Sequence, residues 1–210
     1  MTLSRLKRLF PWLFLGLIMA WPLLIVNKGI DLTDSGFYLG TYRYVFSHPE
    51  FTNISTILSS WLGGLIYALV PSGQLLAIKL AAVAIYAAIA YWTFAVLRGY
   101  FPDWLILLSL LLSSIFATTQ FYCASYNTFS YLFLSSAIFF IYRGLKDELL
   151  AFLLVGAALL GLNVFNRLPN ILQWGLMVAP LWYYWICLGE RARALKDTLY
   201  FCFVMVAAFF

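Results

Sequence analysis

The sequence predicts an all-α protein built as a polytopic bundle of transmembrane helices, and three features carry that prediction. Hydrophobic residues make up 64% of the 210-residue chain and charged residues only 10%, too little polar surface to coat a soluble globule. Apolar runs recur from one end of the chain to the other, which excludes a soluble domain on a single anchor. Basic residues fall at alternate ends of successive runs, as the cytoplasmic ends of membrane helices do.

A helix needs about 20 apolar residues to cross a hydrocarbon core of roughly 30 Å. The first run, Phe10 to Val26, follows the basic segment Arg5, Lys7 and Arg8. It reads as a retained span rather than a secretory signal, because it ends in Asn27-Lys28-Gly29 with no small-residue cleavage site. The longest polar stretch comes next, over residues 27–75. Its second half, Ile54 to Val70, is apolar enough for a short interfacial helix or a re-entrant segment, and Pro71-Ser72-Gly73 closes it with turn residues. Five further spans are expected at Leu76 to Leu97, Trp104 to Thr119, Phe129 to Tyr142, Leu149 to Val164 and Ile171 to Leu188. A seventh begins near Leu199 and meets the last residue, Phe210, after about a dozen residues, short of the spanning length. Residues 1–210 are therefore expected to be one transmembrane module of six to seven visible spans, the N-terminal part of a longer protein.

The charges orient this bundle. Arg5, Lys7, Arg8, then Arg98, then Arg143 and Lys146, then Arg191, Arg193 and Lys196 mark one side, which the positive-inside rule makes cytoplasmic. The other side holds Lys28, Arg43 and Arg167, with Lys79 near a span boundary. The N-terminus is then cytoplasmic and residues 27–75 form an extracytoplasmic first loop. Treating Ile54–Val70 as a true span would reverse every later span and erase this bias. The net charge of +5 follows from the same asymmetry. No contiguous basic, aromatic-lined patch exists on a soluble face, so nucleic acid is not an expected partner, whereas membrane lipid is.

The first loop gathers Asp31, Asp34, Glu50 and the sole histidine, His48, beside Arg43, Tyr38, Tyr42 and Tyr44. No metal set is evident: His48 lacks a second ligand and precedes Pro49-Glu50 as a surface residue would, and Cys123, Cys187 and Cys202 are dispersed. Walker-type and Gly-rich phosphate loops are absent as well, so any energy input must arrive with the substrate or a partner.

The segment Gly29-Ile30-Asp31-Leu32-Thr33-Asp34-Ser35-Gly36-Phe37-Tyr38-Leu39 sets two carboxylates just beyond the outer end of the first span. An acid there, followed by Gly-aromatic-Tyr and a partly apolar extracytoplasmic stretch, resembles the first-loop motif of GT-C fold glycosyltransferases. Protein O-mannosyltransferases and aminoarabinose transferases are of this kind, moving a sugar from a polyprenyl-phosphate carrier to an acceptor outside the cytoplasm. The resemblance implies that Asp34 stands for the catalytic aspartate and Phe37-Tyr38 for the aromatic pair after it. Ser35 occupies the position where the family usually has glutamate. That second acid commonly serves metal binding or acceptor positioning, so the departure leaves both a divalent metal and activity itself open.

The chemistry also follows from the residues. Transfer from a lipid-linked sugar needs a base for the acceptor hydroxyl, a role for Asp34 with Asp31 as the other catalytic candidate, and a cation for the leaving phosphate. Arg43 and Arg167 are the candidates, and Arg167, in Asn163-Val164-Phe165-Asn166-Arg167-Leu168-Pro169-Asn170, is a charge in an otherwise apolar outer helix end. Thr118-Thr119-Gln120-Phe121-Tyr122-Cys123-Ala124-Ser125-Tyr126-Asn127 joins two spans on the same side, and the mixed hydroxyl, amide and aromatic groups of Tyr126 and Asn127 suit a sugar.

Plainer roles stand beside these. Asp31 and Asp34 suit capping of a helix starting near Ser35. Arg167 suits snorkelling to headgroups, and the outer tyrosines suit an interfacial belt. A transporter would show mid-span ionisable groups or broken helices in related halves, which are not evident. A non-catalytic assembly or lipid-binding subunit remains the competing class, since loss of the second acid at Ser35 suits it. A bacterial plasma (inner) membrane is the expected location, although Asn53-Ile54-Ser55 would be a sequon in a eukaryote.

Overall fold

The computed structural model describes residues 3–24, 26, 34–70, 72, 74–119 and 123–210. Among them there are nine α-helices and no strand: α1 Leu3–Ala20, α2 Asp34–Tyr44, α3 Ile57–Leu69, α4 Gln74–Leu97, α5 Asp103–Thr119, α6 Tyr126–Lys146, α7 Leu150–Asn163, α8 Val178–Trp182 and α9 Arg191–Ala207. Two of them, α4 and α6, are long and apolar enough to cross a membrane.

Helix ends follow local chemistry. Ser125 caps α6, its Oγ accepting from the Thr128 amide at 3.4 Å, while Arg143 and Lys146 sit in the last turn, where the helix dipole favours cations. Asp103 opens α5 at the end that favours an acid. The α6–α7 turn is tight enough to hold Glu148 in the left-handed region, at φ 56°.

The helices pack as three connected cores. One joins α6, α7 and α9 through Ala137, Ile141, Leu153, Leu160, Phe201 and Met205. The second joins α2, α4 and α6 through Tyr38, Tyr42, Ile78, Ala82 and Phe129, and the third joins α1, α4 and α5 through Ile18, Phe94 and Leu107. Small residues set the closest approaches. A side chain at Gly63 would collide with the Tyr42 ring, and one at Gly161 with the Met205 carbonyl, so these glycines let α2 close on α3 and α9 on α7.

The packing sorts the helix termini into two ends. At one end, the Tyr100 hydroxyl meets that of Tyr142 at 3.2 Å, Arg98 lies 5.1 Å over the Trp12 ring, and Arg193 binds Glu148 at 2.6 Å. These contacts gather the α4–α5 turn, α1, the α6–α7 turn and the start of α9. At the other end, the Ala124 amide donates to the Ile78 carbonyl at 3.3 Å and the Leu58 amide to the Phe165 carbonyl at 3.1 Å. There α2, α3, the starts of α4 and α6, and the chain after α7 come together.

One expected element changes character. The apolar run Ile171–Leu188 predicts a single helix, but the chain forms a 3₁₀ helix over Leu168–Met177, the short α8, and a π turn over Tyr183–Cys187. Pro180, inside the run, lacks the amide proton that an unbroken α ladder needs, and hydropathy does not distinguish helix types. The last helix also begins earlier than the hydropathy suggested, at Arg191 rather than near Leu199, because its charged first turns pack through the buried Ala194 and Asp197, which hydropathy does not register.

Candidate functional site

The end that carries α2 and α3 holds an open cleft of about 440 Å³. Its walls are the Tyr38 face of α2, the polar start of α3, the first residue of α6, and Arg167 with Leu168 and Pro169. The volume lies within the range of small-molecule sites, about 300–1,000 Å³.

Of the residues nominated from sequence, Tyr38, Tyr126, Asn127 and Arg167 come together here. Arg167 donates from Nη1 to Asn127 Oδ1 at 3.3 Å, and its guanidinium lies 5.6 Å from the Tyr126 ring centre. Tyr126 meets Tyr38 edge to face with ring centres 5.6 Å apart, and Tyr38 stacks on Tyr42 at 6.1 Å. The guanidinium thus has an amide and an aromatic face for partners, and among the described residues no carboxylate pairs with it.

Arg43 is not part of this group. It is exposed on another face of α2, 5.2 Å over the Tyr44 ring. Asp34 is the first residue of α2, and the structure describes its backbone. Position 34 is one helical turn before Tyr38 and two before Thr41 and Tyr42, on the stripe that lines the cleft. Asp31, and residues 120–122 of the loop before α6, lie outside the described residues. His48 is exposed and meets the Glu50 carboxylate at 3.1 Å. A backbone hydrogen bond, and then His48, hold the Glu50 carboxyl below its ordinary range.

The floor of the cleft was not foreseen. Ser59 and Ser60 are buried, and both hydroxyls donate to the Thr56 carbonyl, at 2.8 and 2.9 Å. Asn53 Oδ1 accepts from the Ser55 amide and hydroxyl at 2.9 and 2.8 Å, shaping the turn into α3. The available signal was spacing: Ser59-Ser60 and Gly63-Gly64 repeat four residues apart, a small-residue face on an apolar helix. Tyr42 closes the inner wall by donating to the Ala124 carbonyl at 2.7 Å, and burial pushes its phenol well above the ordinary range, so it stays a donor.

Behind Arg167 lies a buried amide network. Asn163 Nδ2 donates to Gln173 Oε1 at 2.7 Å and to the Ser130 carbonyl at 3.2 Å. Asn170 Nδ2 donates to Ser130 Oγ at 2.9 Å and to the Asn163 carbonyl at 3.0 Å, and Asn166 Nδ2 to Asn163 Oδ1 at 3.1 Å. The Asn170 amide also donates to the Arg167 carbonyl at 2.9 Å. Arg167 therefore projects from a backbone fixed by neutral hydrogen bonds between α6, α7 and the 3₁₀ segment.

Among the described residues the donor set does not suit a divalent cation. Among the described residues no three His, Cys, Asp or Glu groups assemble, and the only acid on α2 is Asp34, followed by Ser35. Hard cations take several oxygen ligands, carboxylates foremost, and the cleft offers hydroxyls and amides. A guanidinium with neutral partners, aromatic walls and a hydroxyl floor suits an anionic ligand that also carries a ring or hydroxyl groups. No protein-family model matches this chain, and no curated protein or solved structure is significantly similar to it.

Proposed function

We propose that this chain is the membrane module of a glycosyltransferase that moves a sugar from a polyprenyl-phosphate carrier to an extracytoplasmic acceptor. The observation that carries this reading is the cleft, which joins Tyr38, Tyr126, Asn127 and Arg167 from three parts of the chain at the end where α2 begins with Asp34.

The multi-span arrangement belongs to the same proposal. Large apolar side chains cover the outside of the bundle, among them Leu17, Leu112, Phe116, Leu172 and Phe203, each more than half exposed, which suits lipid as solvent. Only 28% of the apolar window of α4 and 39% of that of α6 is buried, against the mostly buried core helix of a soluble protein. The terminal basic residues Arg98, Arg143, Lys146, Arg191, Arg193 and Lys196 gather at one end, which supports six to seven spans with that end cytoplasmic. At about 1.5 Å per residue, the 13-residue α3 is too short to cross, in keeping with an interfacial helix of the first loop.

In this mechanism Asp34 takes the proton of the acceptor hydroxyl as its oxygen attacks the anomeric carbon. The bond from that carbon to the phosphate oxygen breaks, and the carrier leaves as polyprenyl phosphate. The new negative charge develops beside Arg167, whose guanidinium pairs with no carboxylate among the described residues. The hydroxyl floor and the Tyr38 and Tyr126 rings hold the sugar.

The test is sugar release from a panel of polyprenyl-phosphate donors by purified, reconstituted protein. Turnover is expected to collapse in folded Asp34→Asn. Asp31→Asn separates a base from a residue that only caps a helix. Unchanged turnover in Asp34→Asn removes the base assignment. Inactivity of the wild type across the panel favours a non-catalytic membrane subunit, the class that Ser35 in place of glutamate also suits.

A further inference from the structure

The end opposite the cleft is rich in acids as well as bases, and the way the two are paired gives that surface its character. Asp103 is 3.7 Å from Arg98, and Asp147 is 2.6 Å from Arg143. The remaining three acids converge on one guanidinium: Arg193 lies 2.6 Å from Glu148, 3.2 Å from Glu190 and 3.5 Å from Asp197. Every carboxylate of this end is thereby engaged, so Lys146, Arg191 and Lys196 pair with no acid among the described residues.

Each of those three cations lies over an aromatic ring instead. Lys146 is 5.4 Å from the Tyr142 ring centre, Arg191 5.6 Å from Trp185, and Lys196 6.0 Å from Tyr200. Trp185 and Tyr200 are nearly half exposed, and Ile186, Leu188, Leu195 and Leu199 lie exposed beside them. Along α9 the exposed residues run from basic at Arg191, through Leu195 and Lys196, to Leu199, Tyr200 and Phe203. This gradient from charge through aromatic to apolar matches the change from headgroup to acyl chain across one leaflet.

We propose that Arg191 and Lys196, with Trp185 and Tyr200, form a docking surface for the phosphate headgroups of anionic bilayer lipid. An acidic protein would also meet the charge, but it would leave Ile186, Leu195 and Leu199 in water, whereas a lipid covers them with its chains. The surface rests on the membrane reading of the chain and not on its catalysis.

The test uses the whole chain in detergent micelles doped with equal amounts of phosphatidylglycerol and phosphatidylcholine, with retained lipid counted by native mass spectrometry. Extraction of membranes with alkaline carbonate is run alongside, and release of the chain overturns the membrane reading itself. For an inserted chain, phosphatidylglycerol is expected to be retained preferentially. The preference falls by roughly fivefold for each cation removed in Arg191→Gln and Lys196→Gln, and returns in Arg191→Lys with Lys196→Arg. Equal retention of the two lipids by the inserted wild type overturns the proposal, as does an unchanged preference in the folded double glutamine variant. A stronger preference for an added polyglutamate peptide than for phosphatidylglycerol assigns the surface to an acidic protein and overturns it too.

Discussion

Arg167 and Arg193 stand at opposite ends of the same bundle with the same charge and opposite surroundings. Arg193 holds Glu148, Glu190 and Asp197 and lies 4.4 Å from the centre of the Tyr184 ring, and the Glu148 hydrogen bond, first among its partners, holds its proton more firmly than usual. Among the described residues Arg167 has one amide and one ring for partners, and it borders an open cleft. A guanidinium already met by three acids has little attraction left for an incoming anion, whereas one set in neutral amides keeps its field for a ligand. One arginine ties helices together, and the other is held out by helices that are tied together without it.

The contrast can be broken most directly at Arg167. Replacing it with Gln is expected to lower turnover of a polyprenyl-phosphate sugar by roughly a hundredfold, the scale of losing one transition-state donor. Thermal stability in detergent should move by less than about 1 kcal/mol, because its partners are neutral and it is exposed. A large loss of stability with unchanged turnover would reverse the roles of the two residues.

Arg193→Gln should show the opposite pattern. Asp197, whose side chain is 7% exposed, loses its cation, and about 2 kcal/mol of stability goes with it, less than for a fully buried pair because Arg193 is itself 30% exposed. Turnover per folded molecule is expected to stay at the wild-type value, measured after thermal unfolding has given the folded fraction.

A smaller change sharpens the account of the cleft end. Asn163→Ala removes the centre of the amide network, leaving Gln173 Oε1 and Asn166 Nδ2 without their partner, at a cost of about 1.5 kcal/mol. Turnover should fall further than the folded fraction, since the network fixes the backbone that carries Arg167. A fall in the folded fraction alone would make the network purely structural.

The smallest effect belongs to Glu50. Its carboxyl is held below the ordinary range in the folded chain, so the stabilisation is present above the unfolded-state value and is lost as pH falls through the lower folded-state value. Glu50→Gln should remove that shallow acid limb from the pH profile of the melting temperature and change little at neutral pH.

The apolar rhythm of the chain made most of the helices legible. Leu76–Leu97 and Trp104–Thr119 differ from α4 and α5 only at their starts, and Leu149–Val164 differs from α7 by one residue at each end. Phe129–Tyr142 fell short of α6 because its first turn, Tyr126-Asn127-Thr128, is polar and its last turn is basic. Hydropathy records what is greasy, and helix ends are set by caps and charges.

The site was legible in part for a different reason. Arg167 stood out as a charge in an apolar stretch and Tyr38 through the first-loop resemblance, but their meeting through Tyr126 is a long-range contact that no local pattern encodes. Arg43 carries the same chemistry as Arg167 and lies in the same loop as Tyr38, and helical register alone turns it away from the cleft. The amide network escaped notice because Asn163, Asn170 and Gln173 read as ordinary polar residues near a helix end. The importance of Asn163 and Asn170 comes from burial together with Ser130, which the sequence does not show.

The stretch Leu168–Met177 has a mechanical consequence. A 3₁₀ helix rises about 2.0 Å per residue against about 1.5 Å in an α-helix, so its ten residues reach about 5 Å further than an α-helical ten would. This stretch is a strut held at that length by the side-chain amides of Asn170 and Gln173, and Arg167 stands at its start, at the rim of the cleft.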